Sequence, residues 1–300
     1  LSNPDKNTIV GRFAPSPTGP LHLGSLYTAL ASFLQARSQH GKWLLRIDDL
    51  DTSRNVKGAA DAILTTLDSV GLHWDESVVY QSQCIDSYHE ALNELTKNQL
   101  LYPCSCSRKT LAASQASTDV YSGICRNKST PPNADTPYAL RLKTDSRFIS
   151  FEDGLQGFIS HNLAKQHGDF ILKRKDGIIA YQFAVVIDDN LQQVNQIVRG
   201  MDLLTETPKQ IYVQQLLGLA TPDYMHVPII VDQHGYKLSK QTRATAVDLT
   251  TPQKVIFNLL CLLKQNPPIE LQHGSVTELI NWAVNHWTIE PLKSTKQVNA

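Results

Sequence analysis

Nowhere in this sequence do 18 apolar residues run uninterrupted, so no membrane-crossing helix can be drawn from it. The opening residues LSNPDKNT lack the basic stretch and apolar core of a secretory leader. These two absences predict a cytoplasmic chain with no membrane partner. Cysteine is scarce, and five residues, an odd number, do not make a disulfide framework. An excess of positive charge is also missing: Lys plus Arg and Asp plus Glu number 28 each. That balance argues against a grip on a long nucleic-acid tract, although a local basic face still suits a small RNA footprint. Neither G-x-x-x-x-G-K-[ST] nor G-x-G-x-x-G occurs, which removes the two commonest phosphate-cradling loops. Internal repeats and low-complexity tracts are absent as well.

What is present reads as a folded domain with a large core, at 41% hydrophobic and 19% charged residues. Ile9 to Phe13 reads as a short buried strand. After Pro20, Leu23, Leu26, Tyr27, Leu30, Phe33 and Leu34 recur at helical spacing. KWLLRI, ending at Ile47, is a second strand, and helices are predicted over 59–70 and 85–98. Strand and helix alternating in this way predict an α/β fold with a doubly wound parallel sheet. From Tyr102 to about Pro137 the residues turn to Ser, Thr, Asn, Pro and Cys, the composition of a loop-rich insertion. YALRLK, DFILKR, IIAYQFAVVIDD, QIVRGMDLL and VPIIVD read as later strands. Helices are predicted over 208–217, 252–264 and 276–287.

The stretch RFAPSPTGPLHLGS, Arg12 to Ser25, carries the first chemical signal. Pro15, Pro17 and Pro20 confine the loop to few shapes, and Gly19 permits a tight turn or a close ligand. The loop delivers the chain to a helix N-terminus, where free N–H groups favour anions, with His22 at the junction. Two readings stand on spacing alone: a nucleotide site, or a proline-rich turn before a core helix.

This stretch resembles the first signature of class I aminoacyl-tRNA synthetases in its glutamyl version. HLGS stands where that family has HIGH, with Ser25 in place of the last histidine. LRIDDLDTSR, Leu45 to Arg54, is similar to LRIEDTDxxR, with Asp48 where Glu is usual. AYQFAVVIDD and QIVRGMDLL resemble the later active-site segments. KLSKQ, Lys237 to Gln241, stands where the family has KMSKS, about 215 residues after HLGS. The matches keep their order over residues 9 to 245.

The resemblance implies a Rossmann-like catalytic domain that activates L-glutamate with ATP and Mg²⁺ to glutamyl-adenylate. It implies catalytic roles for His22, Lys237 and Lys240, and ATP contacts from His22, Gly24, Ser239 and Lys240. Glutamate carries two carboxylates and an ammonium, so its site needs two cations and an anion. The matching positions are Arg12, Ala14, Ser16, Asp48, Tyr181 and Arg199. Without the resemblance, Arg199 is a strand-end charge, Tyr181 a core aromatic and KLSK a solvated basic loop. The family pattern assigns 1–101 to the first half of the catalytic domain and 102–137 to the start of a zinc-bearing insertion. It assigns 138–245 to the rest of both, and 246–300 to a short helical C-terminal part without an anticodon-binding domain.

Cys104, Cys106 and Cys125 lie within one loop-rich stretch. Three soft donors there suit a structural Zn²⁺, with a distant histidine or a water as the fourth ligand, or else they are free thiols. A similar branch of the family uses C-x-C…Y-x₃-C, which makes Tyr121 the fourth ligand. That branch is shortened, as here, where some 60 residues follow Lys240. It activates glutamate without tRNA and transfers it to the queuosine base in the anticodon loop of tRNA(Asp). The resemblance thus implies a ligase, expected as a monomer, with ATP, glutamate and that anticodon loop as partners. Lys173, Arg174 and Lys175 are candidate RNA contacts or an exposed charge run. The alternatives are a truncated enzyme charging a tRNA 3′ end and a silent tRNA-binding paralogue.

Overall fold

β1 (Val10–Phe13) and β2 (Lys42–Ile47) pair in parallel through the crossover helix α1 (Leu23–Arg37). In the computed structural model, residues 8–107, 109–111, 120–128, 136–232, 235 and 247–299 are described. β2 is buried along all but its first residue, which is why KWLLRI is apolar apart from Lys42 at its start and Arg46. α1 lies close on β1 because Gly11 has no side chain: a Cβ there would stand 3.2 Å from that of Ala36.

The parallel order β1-β2-β3, with β3 at Val79–Tyr80, forms one half of the sheet. β9 (Gln196–Gly200) and β10 (Asp223–Val227) pair in parallel in the other half. β10 continues to β6 (Phe148–Asp153), which forms an antiparallel hairpin with β7 (Gly157–Asn162). Asn195 joins the halves: its backbone N–H donates to the Val10 carbonyl at 3.1 Å, and its side-chain oxygen accepts from the Val10 N–H at 2.8 Å. The strand direction of winding reverses at this β1–β9 seam, where doubly wound sheets bind their ligands.

Helices cover the sheet. α2 (Ala59–Ser69) and α3 (Ile85–Lys97) follow the first half, and α4 (Tyr181–Leu191) and α5 (Thr207–Leu216) flank β9. α6 (Pro252–Leu262) and α7 (Val276–His286) pack beside α1, where the Trp287 indole donates to Gln35 Oε1 at 2.7 Å. β12 (Gln297–Asn299) returns to pair in parallel with β11 (Ile229–Val231). A separate antiparallel sheet, β4 (Leu101–Cys104), β5 (Ala139–Leu142) and β8 (Phe170–Lys173), carries the cysteine-rich segment. Among the described residues no helix is long and apolar enough to cross a membrane.

The structure corrects several local expectations. IIAYQFAVVIDD is not a strand: α4 begins at Tyr181 and is buried from Phe183 to Asp189. A short apolar run buried on most sides has no periodicity to separate helix from strand. QIVRGMDLL is extended only to Gly200, and a 3₁₀ turn covers Met201–Glu206. The β6–β7 hairpin and β10 carry no expectation from the sequence; Ser150 and Ser160 face each other on the hairpin's open side at 2.8 Å.

Candidate active site

A cleft of about 480 Å³ opens beyond the carboxyl ends of β1, β2 and β9. Arg12, Ala14, Ser16, His22, Gly24, Asp48, Tyr181 and Arg199 all line it. Eight residues spread over 188 positions of chain are thus brought to one wall system by the sheet's seam. Lys237, Ser239 and Lys240 lie outside the described residues.

The proline-rich loop forms the cleft rim. Gly19 has φ 128°, a region that a side chain disfavours, so the turn needs glycine. His22 is the N-cap of α1, and its Nδ1 accepts from the Ser25 N–H at 3.2 Å. The ring proton therefore sits on Nε2, which meets Ser25 Oγ at 3.0 Å. The residue that replaces the family's last histidine is hydrogen-bonded to the first.

Behind the rim lies a buried ion network. Arg12 donates to both oxygens of Asp189, at 3.1 and 3.3 Å. Arg46 donates to Asp189 at 2.7 Å and to Asp48 at 2.8 Å. Asp188 accepts from the Tyr88 hydroxyl at 2.6 Å and from Gln81 at 2.7 Å. Burial pushes the Asp48 carboxyl up to about 6 even beside Arg46. Burial also raises Asp189, but Arg12 and Arg46 outweigh it and hold that carboxyl below its usual range. Asp189 stays ionised while Asp48 titrates near neutrality.

Arg199 is held differently. Its Nε donates to His226 Nε2 at 3.1 Å and its Nη2 to Thr207 Oγ1 at 2.7 Å. Its Nη1 is buried with no hydrogen-bond partner among the described residues. A buried, unpartnered charged donor on a residue that lines the cleft is a ready contact for an anion.

Sequence reasoning missed Arg46, Asp188, Asp189, Thr207, His226 and Asp153. A signal existed for the first three: an arginine inside KWLLRI and two aspartates closing AVVIDD are charges in apolar runs. Buried charges must find partners.

The cysteine cluster is a second centre. The Sγ atoms of Cys104, Cys106 and Cys125 lie within 4.8 Å of one another. Tyr121 Oη is 3.5 Å from Cys104 Sγ and accepts from the Cys125 N–H at 3.0 Å. Tetrahedral zinc, with Zn–S near 2.3 Å, sets its sulfurs about 3.8 Å apart, so the donor set fits such an ion with little movement. Gly168, at φ 65°, lets the Tyr121 segment approach: a Cβ there would lie 2.7 Å from the Tyr121 carbonyl. Burial alone raises the Cys104 thiol; hydrogen bonds to Tyr121 and Arg141 reverse this and bring it to about 7. That favours a thiolate at Cys104, whereas burial and the neighbouring thiols push Cys106 up to about 11.

Residues 8–281 match the family model for the catalytic domain of class I tRNA synthetases (E and Q). A glutamyl-Q tRNA(Asp) synthetase of Methylococcus capsulatus is 46% identical over 289 residues, 96% of this chain and 94% of that protein. One of Dechloromonas aromatica is 47% identical over 285 residues, 93% and 94% of the two chains. Among solved structures, a glutamate tRNA ligase of Elizabethkingia meningosepticum, in complex with its amino acid, superposes with a TM-score of 0.80 at 25% identity. The match covers 97% of this chain and 67% of that one.

Proposed function

The chain belongs to the class I tRNA synthetases of the glutamate and glutamine branch, and from that premise we propose that it is a ligase that activates L-glutamate with ATP, without tRNA, and transfers it to the queuosine base in the anticodon of tRNA(Asp). Relatives bearing that name match nearly end to end, whereas the match covers about two thirds of the glutamate tRNA ligase. The observation that carries the reading is the shared cleft of Arg12 and Arg199, two guanidiniums beside a helix N-terminus.

Activation is an in-line attack of the glutamate carboxylate on the α-phosphorus of ATP, with pyrophosphate leaving. Charge spreads over phosphoryl oxygens, so the protein's work is positioning and electrostatic stabilisation. Arg12 and Arg199 receive the two carboxylates. Arg12 is set in place by Asp189, and Arg199 offers its free Nη1. Asp48 takes the ammonium, its reach one methylene short of a glutamate's. Ser16 and Tyr181 add hydroxyls to the glutamate pocket, and Ala14 forms part of its wall.

The His22 Nε2–H turns from Ser25 Oγ to a phosphate oxygen, beside the free N–H groups around Gly24 at the start of α1. Lys237, Ser239 and Lys240 approach the triphosphate from the other side. Mg²⁺ brought with ATP would supply further neutralisation of the phosphate charge. Cys104, Cys106, Cys125 and Tyr121 as tyrosinate would hold a structural Zn²⁺ that stiffens the insertion. The protein acts as a monomer in the cytoplasm, and its RNA contact is small. An anticodon loop suits such a contact because its bases can splay and stack.

The test is incubation with ATP, labelled glutamate and tRNA from queuosine-containing and queuosine-lacking cells. Label in an anticodon fragment of queuosine-containing tRNA is expected. Label on the terminal adenosine, or none, would overturn the reading.

A further inference from the structure

We infer that His226, fixed by Asp153, is a positioning residue that orients Arg199 for the dicarboxylic substrate. The inference rests on Arg199 being a glutamate-binding residue. The three side chains come from three strands: Asp153 ends β6, Arg199 lies in β9 and His226 in β10. All are buried, with His226 fully so.

Asp153 is anchored first. Its Oδ1 accepts from the backbone N–H groups of Leu155, Gln156 and His226, at 3.1, 2.9 and 3.2 Å. Its Oδ2 lies 2.6 Å from His226 Nδ1. A carboxylate so surrounded is an acceptor, so Nδ1 carries the ring proton and Nε2 keeps its lone pair. That lone pair accepts the Arg199 Nε–H at 3.1 Å. A proton on Nε2 would set two donors, and two positive charges, against each other.

The arrangement does two things. It fixes the plane of the guanidinium, because Nε is held by His226 and Nη2 by Thr207. It also does so through uncharged acceptors. Arg12, by contrast, meets Asp189 directly, and that carboxylate offsets part of its charge. The imidazole holds Arg199 while keeping the Asp153 carboxylate one ring away. The unpartnered Nη1 therefore carries a less compensated charge toward an incoming carboxylate.

Asp153→Asn reverses the relay: with its Oδ1 still held by backbone donors, the new amide nitrogen faces His226 Nδ1 and drives the ring proton to Nε2. His226→Leu deletes the acceptor. His226→Gln restores an acceptor near the Nε2 position. In ATP–pyrophosphate exchange with glutamate and ATP varied separately, D153N and H226L are expected to raise the glutamate KM by roughly 10- to 100-fold, the weight of one hydrogen bond to a charged group. The ATP KM should stay within about twofold, and H226Q should recover most of the loss. A merely structural role would change both KM values together or neither, and that result would overturn the inference.

¹⁵N chemical shifts of His226 give a second reading without any variant. A pyridine-like Nε2 supports the relay, and a protonated Nε2 overturns it. Wild-type protein lacking glutamate-dependent exchange would instead overturn the functional reading, with the shifts still deciding the relay.

Discussion

Arg46 Nη1 donates to Asp189 Oδ1 at 2.7 Å, tying β2 to the end of α4 across the seam of the sheet. The same carboxylate holds Arg12, so one aspartate aligns both halves of the fold and a cleft arginine. Neutralising it leaves the buried Arg12 without its carboxylate and takes from Arg46 one partner, with Asp48 remaining. Asp189→Asn is expected to destabilise the protein by about 3–5 kcal/mol, the usual cost of breaking a buried ion pair from one side. Urea unfolding measures it, and a shift below about 1 kcal/mol would show that the network is locally solvated.

Arg199→Ala removes a cleft guanidinium whose hydrogen bonds among the described residues go to neutral partners. Glutamate-dependent pyrophosphate exchange should become undetectable while the circular dichroism spectrum is retained. Unchanged exchange would take Arg199 out of the site.

Lys240→Ala should slow activation by about 10²–10³-fold, the typical loss for one donor to a developing phosphoryl charge. Single-turnover adenylate formation is the direct readout. A near-normal rate would leave the KLSK segment idle.

Acid should weaken glutamate binding through Asp48. Its folded carboxyl titrates at about 6, raised from 3.8 by burial. The charged form, which we propose meets the ammonium, is therefore lost as pH falls through 6, and the glutamate KM should rise there. The stability effect has the opposite sign. Keeping Asp48 ionised costs stability at neutral pH, and that cost fades as pH falls from about 6 toward 3.8. A glutamate KM independent of pH between 5 and 7 would remove Asp48 from the binding role.

Metal analysis after chelator-free purification should give about one zinc per chain, and Cys125→Ser should lower it sharply while reducing thermal stability. Less than one zinc per two chains in the wild type would favour free thiols.

The sequence made the cleft legible wherever chemistry is written in local order. Arg12 lies in β1, Gly19 and His22 follow in the loop that leads to α1, and Asp48 follows directly on a buried strand. Their spacing survives without any knowledge of the fold. Asp153, Arg199 and His226 show the limit. Their contact depends on which strands become neighbours, and no periodicity encodes that β6 lies beside β10. Tyr181 shows another: its place in the cleft was expected, but as part of a strand. The helix that carries it is apolar on so many sides that its pattern has no polar face to mark a period. The hairpin from Phe148 to Asn162 went unread, although Asp153 at its turn closes the Arg199 relay.

The β11–β12 pairing has a practical corollary. Ile229 and Ile230 line the cleft, and Lys237 and Lys240 come shortly after them in the chain. These isoleucines are clamped by Gln297 and Val298, with the Lys296 carbonyl receiving the Ile229 N–H at 3.1 Å. Loosening this short pairing by changing Gln297–Asn299 would thus be felt at the cleft wall, although the two strands lie nearly seventy residues apart in the chain.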